Sequence, residues 1–140
     1  MTKKETKQII DLLNASRSSE LGAISQYMNH YYSASGIGSL AVKETFRQSG
    51  LDEMLHAEKL AERVAALGGI PTLRSAPVKR GGDLKKMIKD DLELEKKAIK
   101  RYNEQIKICE KLGDYTTRRL LEDILIEEEG HADTGASLLS

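Results

Sequence analysis

Residues 46–60 read Phe46-Arg47-Gln48-Ser49-Gly50-Leu51-Asp52-Glu53-Met54-Leu55-His56-Ala57-Glu58-Lys59-Leu60. Stepping alternately by three and four from Phe46 gives Ser49, Glu53, His56 and Leu60, the stripe that an amphipathic helix turns toward its core. A carboxylate and an imidazole thus sit in the buried phase of one helix. Their i, i+3 spacing projects both side chains from the same face.

The same stepping finds three more such stripes. One reads Ile9, Leu13, Ser16, Glu20, Ala23, Tyr27, and another Ile88, Leu92, Glu95, Ile99, Tyr102, Ile106, Cys109. The last reads Leu121, Ile124, Glu128, His131, Gly135, Leu138, and the stripe of residues 46–60 extends to Val42 and Leu67. Each carries a glutamate near its middle, and two carry it as Glu-x-x-His.

Punctuation separates the stripes into four helices. The first is expected from about Lys3 to Ala34, with Thr2 and Glu5 spaced as a capping box. Ser35 to Ser39 reads as a short turn, and the second helix runs from about Leu40 to Leu67, ending at Gly68-Gly69. Ile70 to Gly82 contains both prolines and reads as an extended connection. Asp83 caps a third helix that ends near Gly113, and Asp114 caps a fourth. Short turns pair helices one with two and three with four. The long middle connection lets helices two and three run parallel, giving an all-α, ferritin-like four-helix bundle with one long crossover. At 140 residues the chain, 1–140, is expected to form a single domain.

Composition narrows the function classes. Lys plus Arg and Asp plus Glu both count 22, so no excess charge points to nucleic acid or an anionic membrane. No apolar run reaches membrane-spanning length. The start, Met1-Thr2-Lys3-Lys4, lacks the apolar segment of a signal peptide, and the single Cys109 suits a reducing compartment. The expected location is the cytoplasm.

Four glutamates facing one another inside a bundle are very unfavourable unless neutralised. Protonation relieves part of the cost. Two divalent cations relieve it better, because their four positive charges balance four carboxylates while two neutral imidazoles complete the coordination. One Glu from each of two helices plus Glu-x-x-His from each of the other two is the di-iron carboxylate pattern. Mixed carboxylate and imidazole ligation suits iron or manganese and leaves open positions for oxygen or peroxide. A single Glu-x-x-His on a helix is ordinarily a solvated pair. Here two occur in core phase, use two of only three histidines, and are completed by Glu20 and Glu95. Glu93, Glu127 and Glu129 fall beside the phased positions and read as solvated groups or as neighbours of the ligands.

The residues that carry a family likeness are Glu20 with Tyr27, Leu51 to Glu58, Asp91-Leu92-Glu93-Leu94-Glu95, and Glu127-Glu128-Glu129-Gly130-His131. Over the whole bundle the sequence resembles a bacterioferritin. The resemblance implies a ferroxidase centre in which Glu20, Glu53, His56, Glu95, Glu128 and His131 hold two iron ions, with manganese or zinc as substitutes. It implies Fe(II) oxidation by oxygen or hydrogen peroxide, with ferric mineral stored inside a hollow cage. Tyr27 resembles the tyrosine beside the family's di-iron centre. It is either a redox participant or a core tyrosine whose hydroxyl bonds a ligand carboxylate.

Met54 follows Glu53 directly and so points about 100° away from the metal stripe. With Leu51 and Ala61, and with Leu21, Ile24 and Met28 of helix one, it forms a second apolar edge suited to a homodimer. In bacterioferritins the matching methionines of two subunits ligate haem b on the dimer axis. The alternative is that Met54 only fills an apolar interface.

Two departures from the family pattern stand out. Gln48 occupies a position where the family can carry an iron-binding histidine, and the chain stops at Ser140, before the usual short fifth helix. A homodimer is therefore a firmer expectation than a closed cage. The competing functions are a di-iron peroxidase or oxygenase acting on another substrate, and a metal-free structural bundle. DNA-protecting ferritin relatives usually place their ligands between subunits, which the complete intrachain set here argues against.

Overall fold

The computed structural model describes residues 1–140. Four helices follow in order: α1 (Lys3–Ser33), α2 (Ser39–Ala66), α3 (Leu84–Leu112) and α4 (Tyr115–Leu139). The expected caps form. Thr2 and Glu5 exchange bonds as a capping box, while Asp83 and Asp114 accept from the backbones of Lys86 and Thr117. Gly113 adopts φ 77°, the left-handed conformation that ends α3 at little steric cost.

α1 packs along α2 and α3 along α4, with α1 also beside α3 and α2 beside α4. The crossover, residues 67–83, runs along α1. Asn14 bonds Ile70 O and Thr72 N, Ser18 O accepts from Ala76 N, and Gln26 accepts from Lys79 N. This path returns the chain to the end where α2 began, so α2 and α3 run parallel as expected. The approach is close: a Cβ at Gly22 would lie 2.9 Å from Ala76 O.

The interior has two apolar clusters. One holds Ile9, Leu13, Leu60, Val64, Tyr102 and Leu121, and the other Tyr27, Val42, Phe46, Met87 and Ile88. No helix is long and apolar enough to cross a membrane.

The inward stripes of α1 and α2 match their expected residues through Leu60, after which Val64 rather than Leu67 is fully buried. Two stripes need correction. On α3, Ile88, Glu95, Tyr102 and Cys109 are buried as expected, but Asp91, Ala98 and Gln105 are buried where Leu92, Ile99 and Ile106 are only half-buried. The reason is the polar α1–α3 contact: Asp91 and Gln105 bond across to α1, and Leu92 turns toward Gly135 of α4. At the end of α4, Leu138 is exposed and Leu139 packs against the core instead.

Asp114 links the two helices that carry Glu-x-x-His. It caps α4 through Thr117 and accepts from Arg63 of α2 at 3.0 Å. Asp114→Ala should cost about 2 kcal/mol, from the lost cap and the stranded partners. Urea denaturation measures it, and a change below about 0.5 kcal/mol would contradict this role.

Candidate metal centre

The carboxylates of Glu20 (α1), Glu53 (α2), Glu95 (α3) and Glu128 (α4) are all buried, at no more than 1% exposure, and lie around one point. His56 and His131 join them from α2 and α4. His56 Nδ1 lies 3.6, 3.2 and 3.5 Å from oxygens of Glu20, Glu53 and Glu128. His131 Nδ1 lies 3.5, 3.3 and 3.4 Å from Glu53, Glu95 and Glu128. The six side chains thus form two overlapping groups, Glu20–Glu53–His56–Glu128 and Glu53–Glu95–Glu128–His131, which share Glu53 and Glu128.

Hydrogen bonding sorts the donor atoms. Tyr102 donates to Glu20 Oε1 and Tyr27 to Glu95 Oε1, the latter at 2.6 Å. That leaves one unpartnered oxygen on each of Glu20 and Glu95, but two on each of Glu53 and Glu128. Buried polar atoms are almost always partnered, and bound cations would partner these oxygens. A bridging carboxylate uses two oxygens and a terminal one needs only one, and the free atoms match that division.

The histidines are oriented from behind. His56 Nε2 meets Glu127, and His131 Nε2 lies 2.9 Å from Asp52 Oδ2. In the neutral imidazole that ligation requires, a carboxylate at Nε2 would hold the proton there and leave the Nδ1 lone pair facing the cluster, as outer carboxylates do for metal-bound imidazoles. The donor set therefore fits two divalent cations of the iron, manganese or zinc type.

Electrostatics in the protein alone reflect the crowding of like charge. Burial, then the Glu20 and Glu128 charges, push Glu53 well above the usual carboxylate range. Burial lifts Glu95 to about 7 despite its bond to His131. Burial disfavours charge on His56, but Glu20 and Glu128 outweigh it and raise the imidazole to about 9. Burial likewise opposes His131, while Glu128 and Glu95 raise it to about 11.

The ferritin-like domain family matches residues 10–140. The bacterioferritin of Brucella melitensis is 36% identical over 131 residues, covering 93% of this chain and 81% of that protein. The chain is a member of the bacterioferritin family. A solved ferritin-like, di-iron carboxylate protein from Bacillus anthracis superposes with a TM-score of 0.94 at 31% identity, covering each chain completely. Rhodobacter capsulatus bacterioferritin, solved with a metal-free dinuclear site and haem iron in a crystallographic special position, superposes with a TM-score of 0.91 at 31% identity. That alignment covers 95% of this chain and 84% of the other.

All six expected ligand residues converge, and Tyr27 bonds a member of the cluster. Met54 is half-exposed on a face of α2 turned away from the cluster, as its phase required. Glu127 is a neighbour of a ligand, whereas Glu93 and Glu129 face solvent. Sequence reasoning missed Asp52, Tyr102 and His30. For Asp52 and Tyr102 the signal is an offset of 75 positions that pairs Glu20 with Glu95, Tyr27 with Tyr102, Asp52 with Glu127, Glu53 with Glu128 and His56 with His131. His30 continues the α1 stripe one step beyond Tyr27 and bonds Asp91 at 3.0 Å in the core.

Imidazoles raised to about 9 and about 11 are protonated at neutral pH, and ligation requires their neutral form. Cation binding must therefore release protons, and affinity must rise with pH from about 6 to about 8. Calorimetric titration with cobalt(II) in two buffers of different protonation heat reads the release. A pH-independent affinity without proton release would contradict the assignment.

Proposed function

We propose that the chain is a ferroxidase that oxidises Fe(II) to Fe(III) with oxygen or hydrogen peroxide, serving iron storage or detoxification in a homo-oligomer. The observation that carries this reading is the division of orphaned oxygens, two on each of Glu53 and Glu128 and one on each of Glu20 and Glu95. In this reading Glu20 with His56 would hold one ion and Glu95 with His131 the other, with Glu53 and Glu128 serving both. Iron, when bound, supplies the electrons. With peroxide, two Fe(II) each give up one electron, the O–O bond breaks, and two protons complete two waters.

The protein's own part is positioning and charge. Tyr102 and Tyr27 keep one oxygen of each terminal carboxylate occupied, so Tyr27 acts here by orienting Glu95. Glu127 and Asp52 fix the imidazole rings. Four carboxylates stabilise the added charge of two ferric products better than that of two ferrous ions, which favours oxidation.

We further propose that Met54, with its counterpart in a second copy, ligates haem b on a two-fold axis. Met54 is half-exposed beside Leu51, and α1 adds Leu21, Ile24 and Met28 at intermediate burial. A haem iron in a special position, as in the Rhodobacter relative, lies on a symmetry element. This is where paired methionines would meet.

Anaerobic cobalt(II) titration should saturate at two ions per chain, falling to one in Glu20→Ala or Glu95→Ala. Glu53→Leu with Glu128→Leu should abolish binding and Fe(II) oxidation, yet stabilise the metal-free chain by about 1–4 kcal/mol. Unchanged oxidation in that double variant would refute the reading. Met54→Leu should lose the haem absorption of the purified protein while keeping Fe(II) oxidation. Haem retained in that variant would overturn the assignment of Met54.

A further inference from the structure

A cavity of about 190 Å³ opens between α1, α3 and the crossover and reaches inward to Glu20, Glu53 and Glu128. Ala23, Ala76, Val78, Leu94 and Ala98 give it apolar patches within a lining that is otherwise mostly polar and charged. Its outer wall is the crossover itself, held down on α1 by Asn14, Arg17, Ser18 and Gln26. The crossover then reaches across the groove: Lys79 Nζ bonds Glu93 Oε2 of α3 at 2.7 Å. Lys97 approaches the other Glu93 oxygen at 3.2 Å, closing a Lys79–Glu93–Lys97 clasp.

The charges of this opening are the reverse of those at its floor. Lys79, Lys97 and Arg101 line it against Glu93, while the remaining acid, Asp90, is taken by Lys86 at 2.6 Å. A divalent cation arriving here meets a rim whose two acids, Glu93 and Asp90, are already paired with lysines, and whose net charge is positive. The opposite, α2–α4 face is different. Asp52 and Glu127 sit there at 29% and 44% side-chain exposure, directly behind the two imidazoles. His131, at 12%, is the one member of the six that reaches the surface appreciably.

We propose that the clasped α1–α3 channel is the port for the uncharged oxidant, that its basic rim turns divalent cations away, and that cations load through the acidic Asp52–Glu127 face. The inference rests on the two-ion reading of the cluster. Dioxygen and hydrogen peroxide are small enough for a cavity of this volume, and neither is repelled by lysine. Separate doors would also let a full pair of ions assemble without competing with the oxidant for one passage.

The test uses the full chain, with Val78→Trp to plug the channel and Lys79→Glu with Lys97→Glu to reverse its rim. Cobalt(II) loading is followed anaerobically by stopped-flow absorption. Oxidation of preloaded Fe(II) is followed after mixing with dioxygen or with hydrogen peroxide. Val78→Trp should leave cobalt loading within about twofold while slowing oxidation by at least one of the two oxidants about fivefold or more. The rim reversal should speed cobalt loading on the order of tenfold at low salt, with the gain vanishing at high salt. The rim variants alter exposed residues only, so they test the proposal even if the tryptophan variant fails to fold. Cobalt loading slowed as much as oxidation, oxidation slowed with neither oxidant, or a rim reversal without effect would each overturn the proposal. Failure of cobalt to bind the unaltered chain would instead overturn the two-ion reading, and this proposal with it.

Discussion

Four carboxylates share the middle of the bundle, each at no more than 1% exposure. Taking an ion out of water costs several kcal/mol after relaxation, and like charges a few ångströms apart add to that. The surrounding structure is arranged to bear this cost. Two apolar clusters provide the burial that holds the helices together, and the polar groups beside the cluster are spent on orienting the glutamates and histidines. Tyrosines restrain the two terminal carboxylates, and outer acids restrain the two imidazoles. What these bonds leave over is a set of lone pairs directed at two points.

The 75-position offset gives the centre an approximate two-fold symmetry, and its breakdown is informative. Gln26, His30 and Asp91 join α1 to α3 on one side of the carboxylates. Their counterparts by that offset, Arg101, Gln105 and Ser16, join the same helices on the other. The first group includes a buried acid with an imidazole, and the second a guanidinium that also lies 4.8 Å from the Tyr102 ring. The two halves therefore offer nearly equal ligands in unequal surroundings. His56 is fully enclosed while His131 touches solvent, so the two ion positions are not equivalent in access.

Much of this was legible in the sequence because helical phase is a strict constraint. Glu20, Glu53, His56, Glu95, Glu128 and His131 fall on inward stripes by spacing alone, and the caps at Thr2, Asp83 and Asp114 fix where the helices begin. Phase failed where polarity rather than apolar burial decided the contact. Asp91, Ala98 and Gln105 displaced Leu92 and Ile99 because the α1–α3 seam is made of hydrogen bonds, which hydrophobic patterning does not register. Asp52 escaped for a related reason: a residue one position out of phase reads as solvent-facing, yet from α2 it reaches the back of an imidazole on α4. The clasp of Lys79, Glu93 and Lys97 was hidden because it depends on where an extended crossover lies.

The most direct test of the central claim is anomalous diffraction from crystals of the chain loaded with iron or manganese. Two peaks about 3.5–4 Å apart should appear. Glu53 and Glu128 should bridge them, with Glu20 and His56 on one ion and Glu95 and His131 on the other. A single peak, or metal bound elsewhere with the four carboxylates bonded only to one another, would contradict it.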